Sequence, residues 1–211
     1  MNFCNAIYGM RNPLKSWNKS DSYYKENNDF ILGDNDRDLA MRLVKAGSDH
    51  RKFMRQIFVS MDVSAPWYWW RQYHTYKVGT TENSTSQMHL ITNRRLTLDD
   101  FAWDWLSDYR EYTLKHLNTL IMMYHELNLK TKRSRGNKEE IKELKKQRKA
   151  VWRELIQDIP ASFIYLKTCT LNYENLRNIY HSRKNHKLHE WKEFCSWIET
   201  LPYSELITVK Q

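Results

Sequence analysis

The chain is poor in glycine and cysteine, and these two shortages exclude several kinds of site. Its five glycines do not stand at the spacing of either common glycine-rich phosphate loop. Its three cysteines, Cys4, Cys169 and Cys195, have no zinc-ligand spacing, and their odd number disfavours a disulfide-stabilised fold. We therefore expect the protein to work in a reducing compartment.

Long apolar segments are also lacking. No apolar run has the length needed to span a bilayer, and the amino terminus has no signal-peptide core. These absences predict a soluble, cytoplasmic protein with no membrane partner.

Familiar catalytic arrangements are missing as well. His186 and His189 are three residues apart, but no acidic or thiol group completes a metal site near them. No order of serine, histidine and aspartate indicates a triad. We predict no metal site. If the protein is an enzyme, we expect a cofactor to carry the chemistry while the chain supplies binding and electrostatics.

The charge of the chain is strongly positive but unevenly placed. The 211 residues are 41% hydrophobic, which is enough for one core, and we predict a single domain over residues 1–211. The net charge of +9 indicates an anionic partner, such as a nucleic acid, a nucleotide or a membrane surface. About half of residues 130–149 are Lys or Arg, which predicts an exposed basic helical hairpin. A solvated helix face explains this run as readily as a nucleic-acid contact does.

The hydrophobic spacing predicts a mostly helical protein with a small sheet, which is the α+β class. Extended segments are predicted at residues 3–8, 57–63 and 159–170. Helices are predicted at residues 39–46, 49–55, 66–76, 109–129, 138–158, 171–183 and 188–201.

Residues 65–89 combine an aromatic helix with a polar segment. In the predicted helix, tryptophan and tyrosine rings stand before and after Arg71 and Gln72, and Lys77 follows it. A predicted loop rich in hydroxyl and amide groups occupies residues 79–87. Rings and cations beside such a loop suit a planar polar ligand with phosphates. The alternative is that the helix belongs to the core and the loop is a solvated turn.

This stretch resembles the flavin-dependent thymidylate synthases, the ThyX family. Their pattern runs Ala-Pro, four residues, Arg-Gln, two aromatic-type residues, Arg-His-Arg, two residues, Ser, one residue, Asn-Glu, one residue and Ser. Without a gap, it falls here on Ala65-Pro66, Arg71-Gln72, Tyr73-His74, Thr75-Tyr76-Lys77, Thr80, Glu82-Asn83 and Thr85.

A second block of the same family pattern follows in the carboxyl-terminal half. The family has Leu-Pro, an extended segment, an Asn, a second Asn six residues on and an Arg five residues further. This chain has Ile159-Pro160, Asn172, Asn178 and Arg183 at the same spacing. Together the two blocks place the resemblance over residues 56–191, and the chain is identified as a divergent member.

The resemblance implies a ThyX-like α+β fold, mostly helical with a small antiparallel sheet, that assembles as a homotetramer. It also implies a flavoprotein methyltransferase of dTMP biosynthesis that binds FAD and converts dUMP to dTMP. Methylenetetrahydrofolate would be the carbon donor and NADPH the reductant. In that chemistry no cysteine attacks the uracil ring.

The resemblance also implies roles for particular residues. Arg183 is the implied catalytic residue and binds dUMP. The implied dUMP-binding residues are Arg71, Gln72, Ser84, Thr85, Ser86, Gln87, Arg153 and Arg183. The implied FAD-binding residues are Thr75, Tyr76, Lys77, Thr80, Glu82, Asn83, Asn172 and Asn178. Alternative roles are open for three of them, because Asn172 can cap a helix, Arg183 can lie on the surface at a helix end, and Tyr76 can belong to the core.

Three departures from the family pattern concern cations. Thr75 and Tyr76 replace two of the three basic side chains of the Arg-His-Arg triplet. Gln87 stands where the family has a further dUMP-binding arginine. Ile156 stands where the family has an arginine before Leu-Pro, and Arg153, about one helical turn earlier, is the candidate to replace it. Since arginine and glutamine are not equivalent at a phosphate, the nucleotide is either held differently or is another pyrimidine nucleotide.

Two further functions stay open. A basic nucleic-acid-binding protein would contact phosphates through residues 130–149 and stack bases on tryptophans, although the resemblance disfavours this partner. A flavin-free remnant of the fold is the outcome if the lost arginines are not replaced.

Overall fold

Nine α-helices and five short strands form within residues 2–134 and 137–210, which the computed structural model describes. The helices are α1 Phe3–Gly9, α2 Asp34–Lys45, α3 Trp67–Tyr73, α4 Gln87–Leu90, α5 Asp108–Arg133, α6 Lys138–Asp158, α7 Tyr173–Arg183, α8 His189–Glu199 and α9 Glu205–Thr208. The strands are β1 Tyr23–Tyr24, β2 Phe30–Ile31, β3 Phe58–Pro66, β4 Thr81–Ser84 and β5 Ile164–Asn172. The predicted α+β class, mostly helical with small antiparallel sheets, is confirmed.

The five strands form a two-stranded and a three-stranded sheet. β1 and β2 form an antiparallel ribbon in which Tyr23 pairs with Ile31 and Tyr24 with Phe30. The other sheet has the order β3-β5-β4, so that β5 is its central strand. Cys169 and Leu171 of β5 are fully buried, as the central position of the strand requires.

The ends of the long helices follow from capping residues in the sequence. The Asn137 side chain accepts a hydrogen bond from the Glu140 amide at the start of α6, and Ser107 does the same for Arg110 at the start of α5. Pro160 stands two residues after the end of α6. The predicted bounds of the helix at residues 138–158 are therefore correct.

Two local predictions are wrong. Residues 3–8 form α1 and not a strand, because Phe3, Ala6 and Ile7 are buried at helical spacing. Residues 79–87 were expected to be a loop, but they contain β4, which pairs with β5 at one edge of the sheet. The polar side chains of β4 stay mostly exposed, so its burial pattern resembles that of a loop.

Contacts divide the chain into two compact units. Unit 1 consists of Met1–Val63, Arg71–Asn83 and Lys167–Gln211, and unit 2 consists of Ser64–Trp70 and Ser84–Leu166. The expected single domain stays a prediction.

The core of unit 1 is built around α7. Leu176 and Ile179 of this helix are fully buried, as is Trp191 of α8. The ring of Phe3 meets the rings of Tyr173 and Tyr203 edge to face, at 5.5 and 5.2 Å between centroids. The first helix and the last part of the chain are therefore joined by aromatic packing within this unit.

The core of unit 2 is the antiparallel pair α5 and α6. Leu117, Leu120 and Ile121 of α5 face Val151 and Leu155 of α6 in one buried cluster. Most of residues 130–134 and 137–149 are exposed, while Arg135 and Gly136 of the predicted hairpin lie outside the described residues. Across residues 2–134 and 137–210, no helix has both the length and the apolar character needed to cross a membrane.

Asp36 organises the polar segment around the start of α2. Its carboxylate is fully buried and accepts hydrogen bonds from Arg11 Nε at 2.5 Å, Ser20 Oγ at 2.7 Å and Ser22 Oγ at 2.6 Å. Burial by itself would raise the pKa of Asp36, but the hydrogen bonds from Ser22, Ser20 and Arg11 outweigh it. The pKa therefore lies below its ordinary value of 3.8.

Asp36→Asn is expected to lower the free energy of unfolding by about 1.5–3 kcal/mol, because hydrogen bonds to a charged acceptor are lost. A carboxyl with a lowered folded-state pKa contributes stability that is complete above its ordinary pKa and is lost as the pH falls through the folded value. Urea unfolding at a series of pH values tests both points, since the variant lacks this acid-dependent loss.

Asp38→Asn is the matched control, because Asp38 lies in the same helix and its exposed side chain pairs with Arg42 four residues on. It should cost about 0.5 kcal/mol or less. Equal losses in the two variants would contradict the importance given to Asp36.

Candidate functional site

Arg183 is held at the end of α7 by aromatic rings and by hydrogen bonds, all within unit 1. Its Nε donates to the Tyr76 hydroxyl at 2.8 Å, and its Nη1 donates to Gln72 Oε1 at 3.3 Å. The guanidinium carbon lies 5.5 Å from the centre of the Tyr76 ring and 5.1 Å from that of Trp191. The charge is therefore fixed in position and stacked on π faces, an arrangement that suits recognition of an anion.

Trp191 also orients Gln72. The indole Nε1 donates to Gln72 Oε1 at 2.8 Å, so this one oxygen accepts from both Trp191 and Arg183. Since both donors require an oxygen, the amide NH₂ of Gln72 is assigned to the other side of the group. We call Gln72, Tyr76, Arg183 and Trp191 the arginine–aromatic cluster.

A second polar cluster in unit 1 is centred on Glu82 of β4. Its Oε2 lies 2.7 Å from Lys167 Nζ and 3.1 Å from His74 Nε2, and the two nitrogens are 3.0 Å apart. The Lys167 side chain is only 7% exposed and that of Glu82 only 19%. A cation this deeply buried depends on its carboxylate partner, because desolvation of an unpaired charge is costly.

The start of α7 is tied to the turn before β4. Asn172 is the N-cap residue, and its side chain accepts from the Asn175 amide at 2.9 Å, while Asn175 Oδ1 accepts from the Asn172 amide at 3.2 Å. Asn175 Nδ2 donates to the Val78 carbonyl at 2.7 Å. Next to it, Gly79 has a φ of +75°, and a Cβ there would lie 3.4 Å from Asn172 Nδ2. Glycine therefore suits both the backbone conformation and the close approach.

The other predicted FAD residues of unit 1 lie around this turn or on exposed surface. The Thr75 hydroxyl donates to the Gln72 carbonyl, and the Thr80 hydroxyl to the Lys77 carbonyl. Thr75, Lys77, Asn83 and Asn178 are exposed, as is Arg71 of the predicted dUMP set. For Asn172 the observed role is the helix cap that the sequence left open as an alternative.

Unit 2 contains the remaining predicted dUMP residues. Thr85 donates to the Leu166 carbonyl through both its amide at 3.0 Å and its hydroxyl at 3.2 Å. Gln87 Oε1 accepts a hydrogen bond from the Tyr165 hydroxyl. Thr85, Gln87 and Tyr165 line a cavity of about 550 Å³ within this unit. Its volume suits a small ligand.

Ser84, Ser86 and Arg153 are exposed and do not line the cavity of unit 2. The Ser84 hydroxyl donates to the Thr85 carbonyl at 3.0 Å. Arg153, the candidate to replace the arginine missing at Ile156, lies on the exposed surface of α6.

The buried cysteines are not set up as nucleophiles. Burial raises the pKa of the Cys169 thiol, and burial followed by the charge of Glu199 raises that of Cys195 to about 11. Both thiols are therefore protonated at neutral pH, whereas the thiolate is the nucleophilic form. Cys195 is only 3% exposed and belongs to the core.

Sequence reasoning identified Gln72, Tyr76 and Arg183, which the structure brings together, but it assigned no site role to Trp191 or Lys167. Trp191 lies on the apolar stripe of α8, a pattern that predicts a core residue and does not indicate its hydrogen bond to Gln72. Lys167 is the only charged residue in residues 159–172. A single cation in an apolar strand was the signal that could have identified it.

The sequence matches no protein-family profile and no curated protein. The fold, however, is similar to that of solved structures of the flavin-dependent thymidylate synthase ThyX from Helicobacter pylori complexed with FAD and dUMP. One such structure has a TM-score of 0.68 and 12% identity over 99% of this chain and 94% of the other. A second, determined with FAD and dUMP at 2.31 Å, has the same TM-score and identity over 99% of this chain and 93% of the other. The predicted ThyX-like fold is confirmed.

Glu82→Gln is expected to lower the free energy of unfolding by about 3 kcal/mol, because it leaves the Lys167 ammonium buried without its carboxylate. The double variant Glu82→Gln with Lys167→Met should lose less stability than the single variant, since the buried cation is removed together with the Glu82 carboxylate. Urea unfolding of the ligand-free protein measures both.

The control for this pair is Glu139→Gln, which removes an exposed carboxylate 3.8 Å from the Lys142 ammonium. It should change the free energy of unfolding by about 0.5 kcal/mol or less. If the double variant were less stable than Glu82→Gln, the desolvation account of Lys167 would be wrong.

Proposed function

We propose that the protein is an FAD-dependent thymidylate synthase that converts dUMP to dTMP. The observation that carries this proposal is the arginine–aromatic cluster, in which a fixed guanidinium lies against two rings at the end of α7. The similar fold of synthases that were determined with FAD and dUMP supports the choice of ligands. Methylenetetrahydrofolate, NADPH, the homotetramer and the cytoplasmic location are parts of the proposal that rest on the resemblance.

The arginine–aromatic cluster can recognise a pyrimidine nucleotide in two ways. The planar donors of Arg183 suit a phosphate or a uracil carbonyl, and the Tyr76 and Trp191 rings give the guanidinium a defined plane. Gln72 has its oxygen engaged by Arg183 and Trp191, so its NH₂ is the part assigned to a ligand carbonyl. Arg183 and Gln72 would therefore bind and orient dUMP.

The residues of unit 1 fit a flavin nucleotide. Gly79, with its φ of +75°, lets the chain turn before β4 in a conformation that other residues rarely adopt, and the nearby hydroxyls of Thr75 and Thr80 donate to the Gln72 and Lys77 carbonyls. The exposed Lys77 would supply positive charge for an anionic cofactor, whereas the charge of the buried Lys167 is balanced by Glu82. When bound, FAD would supply the redox chemistry that the chain itself lacks.

The polar groups near the turn have roles that do not require a protein nucleophile. Glu82 holds the Lys167 ammonium and the His74 ring in one hydrogen-bonded group, which fixes a charge beside the turn. Both buried thiols are protonated, so attack on the uracil ring by Cys169 or Cys195 is disfavoured. This agrees with a reaction in which the cofactor and not a cysteine carries the carbon unit.

The first test is the visible absorption spectrum of the purified full chain, recorded with FAD before and after addition of dUMP. Flavin bands that shift on binding and shift again with dUMP are expected. Arg183→Lys should weaken dUMP binding about tenfold or more, because the planar donor pair is lost while the charge is kept.

Arg42→Lys is the matched control, because the Arg42 side chain is 68% exposed and lies in α2. It should leave dUMP binding unchanged. Lys145→Gln with Lys146→Gln in the basic hairpin should also have no effect, whereas a nucleic-acid-binding protein would depend on these lysines. A protein that takes up no FAD would exclude the proposed function.

A further inference from the structure

A histidine and two carboxylates come together on the surface of unit 2, where α5 packs against α6. They are His116 of α5 and Glu154 and Asp158 of α6, and their donor atoms all lie within 4.8 Å of one another. Within residues 2–134 and 137–210, this is the only such group of three potential metal ligands. We call it the His116 cluster. The sequence spacing did not indicate it, because its members come from two helices.

The His116 cluster is separate from the residues that the family resemblance connects with dUMP or FAD. Glu154 and Asp158 are four residues apart and therefore lie on one face of α6, one turn from each other. Ile156, at the position of a family arginine, stands about half a turn away from both. Its side chain packs against the buried core of unit 2. The cluster is thus on the opposite face of α6.

The core between the two helices fixes the backbone that carries the ligands. Leu117 follows His116 and Leu155 follows Glu154, and both leucines are fully buried in the same cluster. The imidazole of His116 also stacks on the Tyr112 ring one turn earlier, with 6.2 Å between centroids and 7° between planes. These contacts orient the histidine before any ligand arrives, which reduces the entropic cost of binding.

The distances within the cluster suit a shared metal ion. His116 Nε2 donates to Asp158 Oδ2 at 2.8 Å. Two ligand atoms that are each about 2.0–2.2 Å from one zinc ion lie about 3 Å apart or slightly more. A small separation of the two groups would therefore admit an ion in place of the Nε2 proton, which would leave to solvent. Glu154 is exposed, so its side chain can adjust as the third ligand.

The cluster carries negative charge in a strongly basic chain. Among the described residues, neither Glu154 nor Asp158 forms an ion pair with a lysine or arginine, and the recorded partner of Asp158 is His116. This is notable because the net charge of the chain is +9. Two carboxylates without a cationic side chain as partner match the charge of a divalent cation.

We propose that the His116 cluster binds a divalent transition-metal ion such as Zn²⁺. An imidazole nitrogen beside carboxylates suits zinc, whereas Mg²⁺ and Ca²⁺ prefer oxygen ligands alone. Three protein ligands leave a fourth position for water. The bound ion would join α5 to α6 and stabilise unit 2. This site goes beyond the proposed synthase function and requires neither FAD nor dUMP.

The test is isothermal titration calorimetry of the full chain with zinc chloride, without flavin and without a histidine tag. Binding is expected. His116→Gln should weaken it at least about tenfold, since even the outer partners of a metal site contribute that much to affinity. Zinc should also raise the melting temperature of the wild type and not that of this variant.

His189→Gln is the matched control. The His189 side chain is 63% exposed and its Nδ1 lies 3.7 Å from Glu190 Oε2, but it belongs to no group of three ligands among the described residues. This variant should bind zinc as the wild type does. Equal weakening in the two histidine variants, or no binding by the wild type, would overturn the proposal.

Asp158→Asn separates the metal ligand from the hydrogen bond. Asparagine can still accept from His116, but it lacks the carboxylate charge, so zinc binding should weaken at least about tenfold. The circular-dichroism melting curve of the metal-free variant should stay cooperative. Unchanged zinc binding would count against the site.

Competition with magnesium chloride tests the role of the imidazole. An excess of Mg²⁺ should not displace zinc, because Mg²⁺ prefers oxygen ligands. Displacement would show a general attraction of cations to the two carboxylates and would contradict the proposal. Because these measurements involve neither flavin nor turnover, their outcome is independent of whether the protein is a synthase.

Discussion

The connection between β5 and α7 is the constraint on which most of unit 1 depends. β5 is the central strand of its sheet, and Asn172 ends the strand and caps the helix in reciprocal hydrogen bonds with Asn175. Asn175 also donates a hydrogen bond to the Val78 carbonyl, so the same junction positions the turn before β4. α7 then ends at Arg183 in the arginine–aromatic cluster. The arginine–aromatic cluster and the turn before β4 therefore both take their positions from this junction and its helix.

Local chemistry explains which elements could be predicted from the sequence. The bounds of α6 follow from the Asn137 cap and Pro160. Residues 3–8 were misjudged because a short apolar segment fits both strand and helix spacing until its packing partners are known. β4 was missed because its side chains are polar, and only pairing with β5 makes it a strand.

The candidate sites were predictable only in part, since they join distant residues. Gln72 and Arg183 are 111 positions apart, and the resemblance to a known family, not their local pattern, associated them. Lys167 gave a weak local signal as a cation in an apolar strand. Arg51 gave none, because nothing in the sequence brings it to Glu174 of α7, with which it pairs. The tryptophans were also ambiguous, since Trp191 is at once a core residue and a donor to Gln72.

The way α7 holds the last described residues bears on how such a fold can diverge. Arg177 and His181 bind the carbonyl oxygens of Ile207 and Val209, which every amino acid possesses. These hydrogen bonds hold the backbone of the segment and do not depend on which side chains stand at positions 207 and 209. Substitutions at its exposed positions leave these bonds intact, provided that Arg177 is retained, whereas Leu206 and Ile207 are fully buried. Where a side chain donates to the backbone of its partner segment, the sequence of that segment can change while the fold is kept.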